Sequence, residues 1–119
     1  FFAIVLFPVW YNKGKAAPRP EVWLSDKAKA AETCVKPLED IRKNHMYLLD
    51  QWRDTVSREG KRVFVAWNGK EYYPGLTTTC LGCHEDKAKF CDRCHNYASV
   101  SPYCWDCHIN PKEMNYGEK

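Results

Sequence analysis

The chain is poor in several things. It has no run of basic residues, and its formal net charge is only +3 across 119 residues, so the electrostatic footprint of a nucleic-acid binder is missing. It has no apolar stretch near the ~20 residues needed to cross a bilayer; the longest uncharged apolar run is the opening "FFAIVLFPVWY". It has only four histidines and two methionines, which limits any metal chemistry that uses many such ligands. A chain this short cannot build a large core from its own side chains, and seven prolines with six glycines argue against a regular helical bundle.

Cysteine is what the chain has in excess, and in a fixed pattern. Residues 80–108 read "CLGCHEDKAKFCDRCHNYASVSPYCWDCH", with C-x-x-C-H three times. This is the attachment signature of c-type haem. The two cysteines form thioethers to the two vinyl groups, and the adjacent histidine binds iron as the proximal ligand. The expected assignments are Cys80, Cys83 and His84 for the first haem, Cys91, Cys94 and His95 for the second, and Cys104, Cys107 and His108 for the third. The rival readings fit less well. A Cys₄ zinc site uses two C-x-x-C pairs, leaves the third pair over and does not explain a histidine after each. A disulfide framework does not need the same two-residue gap each time. The connectors are so short that whatever the motifs hold must lie close together, and three macrocycles would supply the missing core. Trp52, Trp67, Tyr97, Tyr103 and Trp105 are candidates to pack against them.

Counting ligands sharpens the expectation. Each iron has one position left after the porphyrin and the proximal histidine. Three of the four histidines belong to the motifs, so only His45 remains, and at most one haem can be His/His. Six of the seven cysteines belong to the motifs, so Cys34 remains. In an exported protein a spare thiol is either inert, intermolecularly paired or a ligand; with ligands scarce, it reads as an iron thiolate. A thioether can serve the third iron. Met46, directly after His45, is preferred over Met114, which follows the last motif.

The remaining elements are sparse. Ser25 or Asp26 caps a predicted helix running to Cys34, where Pro37 ends it. Residues 37–60, "PLEDIRKNHMYLLDQWRDTVSREG", place Leu38, Ile41, His45, Leu48, Leu49, Trp52 and Val56 at helical spacing, with Gly60 as the terminating residue. "KRVFVAWNGKEYYPGL" reads as a β-hairpin closed by a type I′ turn at Asn68-Gly69. The expected fold is mainly α with much irregular structure: a small multihaem cytochrome c domain over residues 26–119, one β-hairpin, and a linker over residues 12–25. Residues 1–11 read as the end of an N-terminal transmembrane anchor, truncated because the chain opens on Phe1. Covalent haem attachment takes place outside the bacterial cytoplasm, which puts the haem domain on the periplasmic or extracytoplasmic side of the cytoplasmic membrane.

The lone Cys34, "HMYLLDQWR", "YNKGKAA" after the apolar start, and above all "CHNYASVSPYCWDCH" resemble the DsrJ family, trihaem cytochrome c subunits of DsrMKJOP membrane complexes. The resemblance covers most of the chain. It implies one His/His, one His/Met and one His/Cys haem, matched here by His45, Met46 and Cys34. It also implies a quinone-interacting electron link in dissimilatory sulfur metabolism, including sulfate reduction. The implied partners are a periplasmic iron–sulfur protein, integral membrane subunits and a cytoplasmic catalytic subunit. On that reading the chain is an electron carrier rather than an enzyme. The alternative is a redox enzyme acting on a sulfur compound at the His/Cys haem.

Overall fold

The computed structural model describes residues 1–110. About half of the chain is helical, and one small two-stranded sheet completes the regular structure. The order is α1 (Phe2–Val5), α2 (Phe7–Tyr11), α3 (Asp26–Ala30), α4 (Leu38–Arg58), β1 (Phe64–Val65), β2 (Glu71–Tyr72), a π turn (Leu76–Cys80), α5 (Leu81–Cys83), α6 (Cys91–Tyr97) and a 3₁₀ turn (Tyr103–Asp106).

Helix α4 carries the architecture. Glu39 and Asp40 in its first turn and Arg58 in its last complement the helix dipole. Gly60, at φ +67°, takes the left-handed conformation that ends it. Its inner face buries Leu48 and Trp52, which form the core with Val35. Ile41, Leu49, Phe64, Tyr72, Cys34 and Cys80 pack against that cluster. The core thus joins α4, the hairpin, the loop bearing Cys34 and the start of the first C-x-x-C-H motif. Trp52 meets Phe64 edge-on at 5.1 Å.

Two expectations need correcting. The helix predicted to reach Cys34 stops at Ala30, because Glu32 turns to φ +54°, and Cys34 lies in the loop before α4 instead of at a helix end. The hairpin forms, with Phe64 opposite Tyr72 and Val65 opposite Glu71, but its turn is not type I′. That turn needs positive φ at both central residues, and of the two only Gly69 has it. Ala66 pairs with Lys70 across a three-residue loop, and the Gly69 N–H returns to the Ala66 carbonyl. This is the type I turn with a left-handed glycine bulge. Asn68 spends its side chain on the Thr33 hydroxyl and the Lys70 N–H. Finally, residues 1–11 form two short helices, with Pro8 in the first turn of the second. Among the described residues no helix is long and apolar enough to cross a membrane. The apolar side chains of residues 1–11 are well exposed.

The core is small for the extent of the chain. Its radius of gyration is 18.2 Å, against about 13–14 Å for a compact domain of this length. Among the described residues Val35, Leu48, Trp52, Ala66 and Leu81 are the buried apolar side chains, while Trp23, Trp67, Tyr97, Tyr103 and many others stay exposed.

Candidate haem-attachment sites

All three motifs are built on one backbone turn. In the first, the His84 N–H bonds to the Cys80 carbonyl at 2.7 Å; in the third, the His108 N–H bonds to the Cys104 carbonyl at 2.9 Å. In the second, α6 supplies the same turn. A helical turn puts residues i and i+3 on one face, so each motif presents its two sulfurs together with the histidine one residue on. The lead-in to the first motif is held as well. The Thr79 hydroxyl donates to the Tyr73 carbonyl, and the π turn runs directly into α5.

The thiols suit covalent attachment. All seven cysteines are unpaired, and none is fully buried. Burial, reinforced by the neighbouring Cys34, Cys91 and Cys83, pushes the Cys80 thiol up to about 12. Burial and then the Asp92 carboxylate raise the Cys91 thiol. Both thiols are therefore held as S–H at neutral pH. Among the described residues no group of three or more His, Cys, Asp or Glu side chains is arranged to hold a metal ion. An iron already held by four porphyrin nitrogens needs only two protein ligands, so the donor set fits haem.

The histidines differ in surroundings. His84 stacks nearly parallel on Phe90, ring centres 3.7 Å apart. Its Nδ1 is buried without a hydrogen-bond partner, and burial lowers its pKa. His108 is exposed, its Nδ1 3.5 Å from the Thr77 hydroxyl. His95, on α6, faces His45, on α4: the ring centres are 6.0 Å apart and the planes meet at 83°. A cavity of about 480 Å³ opens beside His95, lined among others by Lys87, Asp92, Ser99 and Trp105.

Cys34 and Cys80 pack against the same core cluster. The hairpin holds the Cys34 loop in place, since the Trp67 indole N–H donates to the Cys34 carbonyl at 3.2 Å. Met46 is half-buried, next to His45, and Met114 falls outside the described residues. Of the aromatics expected to cover macrocycles, Trp52 is in the protein core, Trp67, Tyr97 and Tyr103 are exposed, and Trp105 is half-buried under the Lys87 ammonium.

Several contributors could not be read from the sequence. Ser25 caps α3 by accepting from the Ala28 N–H, as its position predicts, but its hydroxyl also donates to the Cys83 carbonyl. Residues 17–25 lie along the first two motifs. The Trp23 N–H bonds to the Lys89 carbonyl, Arg93 donates to the Glu21 carbonyl, and Tyr97 donates to the Ala17 carbonyl. Lys27 pairs with Glu85 at 2.6 Å. No local pattern signals these contacts, because they join residues far apart in the chain.

No protein-family profile matches the chain, and no solved structure matches it. A curated relative does. The Hdr-like menaquinol oxidoreductase cytochrome c subunit of Archaeoglobus fulgidus is 38% identical over 109 residues, covering 87% of this chain and 73% of the relative. With that identity over that share of both sequences, the chain belongs to the family of this cytochrome c subunit.

Proposed function

We propose that the protein is an electron-transfer cytochrome with three covalently bound haem c groups. The observation that carries this is the repetition of one backbone turn at all three C-x-x-C-H motifs, each presenting two unpaired thiols and a histidine. Bound haem supplies a site for one electron at a time. The chain's residues attach and orient it. Cys80 and Cys83, Cys91 and Cys94, and Cys104 and Cys107 would hold the three haems through thioethers, and His84, His95 and His108 would each supply an imidazole to iron. His45, Cys34 and Met46 would supply the remaining iron ligands. Phe90 fixes the plane of the His84 ring, and Ser25 holds the Cys83–His84 peptide.

The relative's name connects it with a menaquinol oxidoreductase, and on that support we place this chain in a quinone-interacting membrane complex. The finer reading is a DsrJ-like subunit of sulfur metabolism, beside an iron–sulfur protein, integral membrane subunits and a cytoplasmic catalytic subunit. Its haem domain, residues 26–119, is extracytoplasmic. The exposed apolar side chains of residues 1–11 support contact of that end with the bilayer.

The test is the mass of the denatured protein, purified from a host that attaches haem c. It should exceed the sequence mass by three haems, and the chain should remain red. A colourless protein, or one carrying zinc, would sink the proposal.

A further inference from the structure

A motif histidine would meet iron through one ring nitrogen and leave the other to the protein. Histidines that bind metals almost always donate that second N–H to an oxygen. The bond fixes the tautomer, holds the ring plane and makes the imidazole more basic. Two of the motif histidines differ in this respect. His84 Nδ1 is buried without a hydrogen-bond partner, and its ring is held by stacking on Phe90 at 3.7 Å. His108 Nδ1 lies 3.5 Å from the Thr77 hydroxyl oxygen, a residue 31 positions earlier in the chain.

Thr77 stands in the run "LTTTC", the π turn Leu76–Cys80 that leads into the first motif. A threonine within a helical turn commonly bonds a carbonyl just behind it, and Thr79 behaves in this way toward the Tyr73 carbonyl. Thr77 does not. Among the described residues its hydroxyl has no hydrogen-bond partner other than His108. Both side chains are exposed, so core packing does not explain the approach. Turns of the π type are rare and occur frequently at functional sites. This one sets a threonine of the first motif's lead-in beside the histidine of the third.

We infer that Thr77 is a positioning residue for His108, its hydroxyl oxygen accepting the Nδ1–H of the imidazole that serves the third motif. This rests on the haem reading above and deepens it. With Nε2 given to iron, Nδ1 carries the ring proton and can only donate. The 3.5 Å separation is longer than the usual ~2.7–3.2 Å. Hydrogen bonds of functional groups are often long in the free protein and tighten on binding. The bond makes His108 the stronger donor and favours ferric iron at the third motif. His84, with Phe90 in place of an acceptor, has no such support.

The test uses the reduced holoprotein with isotope-labelled histidine, read by NMR and by a redox titration. The Nδ1–H signal missing from His108→Met identifies the third motif's imidazole. Thr77→Val keeps the shape of the side chain and removes the oxygen. In it, that signal should shift and exchange with solvent several-fold faster, and one of the three potentials should rise. The other two potentials and the haem mass should match the parent. Thr77→Ser keeps the oxygen and should match the parent in both readouts. An unchanged His108 signal or no rise in potential in Thr77→Val overturns the assignment. So does a change confined to the His84 or His95 signal, or a Thr77→Ser protein that behaves like Thr77→Val. A parent protein with no added haem mass would instead remove the haem reading itself, so the two failures are separable.

Discussion

Ser25→Ala tests how the first motif is held. The Ser25 side chain is almost fully buried, at 2% exposure. It accepts from the Ala28 N–H at 3.1 Å and donates to the Cys83 carbonyl. Losing a serine N-cap costs about 1 kcal/mol. Leaving a buried carbonyl without its donor costs about 1–3 kcal/mol more. The sum, roughly 2–4 kcal/mol, should lower the melting temperature of the holoprotein by roughly 6–15 °C for a chain of this size. Followed by circular dichroism, Ser25→Asp separates the two parts. A carboxylate can accept from Ala28 but cannot donate to Cys83, so it should restore the cap and none of the cross-chain bond. If Ser25→Ala melts within about 2 °C of the parent, or Ser25→Asp recovers full stability, the bond from Ser25 to the motif carries no weight and the reasoning is wrong.

Other substitutions probe the core and the sulfur ligands. Trp52 is buried, but its indole N–H has no acceptor, so Trp52→Phe should change stability by less than about 1 kcal/mol in guanidine unfolding. Trp52→Ala should cost about 3–5 kcal/mol, and equal losses in both variants would show that the N–H matters. Cys34→Ser should remove one low-spin EPR species while the mass still shows three haems, because the thioethers and proximal histidines are untouched. The lost haem should be the lowest in potential of the three, since a thiolate stabilises ferric iron; an unchanged spectrum would make Cys34 a packing residue. Met46→Ala should lower one haem's potential and remove the near-infrared thioether band, and Met114→Ala should do neither. The reverse result moves the ligand to Met114.

Read as sequence, this chain yielded whatever depends on near neighbours. The C-x-x-C-H spacing is a local reach, from two sulfurs to the iron-binding histidine, and one helical turn satisfies it at each motif. Helix α4 follows from apolar residues recurring at helical spacing and from a glycine free to turn left-handed at its end. The α3 cap and the presence of a hairpin come from side chains and turn residues a few positions apart. Even local reading failed where backbone angles decided the outcome. Glu32 ended α3 before Cys34, and a three-residue loop displaced the expected type I′ turn.

Tertiary structure decided what joins distant residues. Composition counts a spare histidine, but only the tertiary fold sets its ring 6.0 Å from that of His95. A serine before a helix announces a cap, whereas its second bond, to the Cys83 carbonyl 58 residues away, exists only once the chain has folded back. Residues 12–25 look like a linker because they are polar and Pro-containing, yet their backbone carbonyls receive Arg93 and Tyr97. Backbone groups are the same in every sequence, so which of them will be paired with a distant side chain is not written in any local pattern.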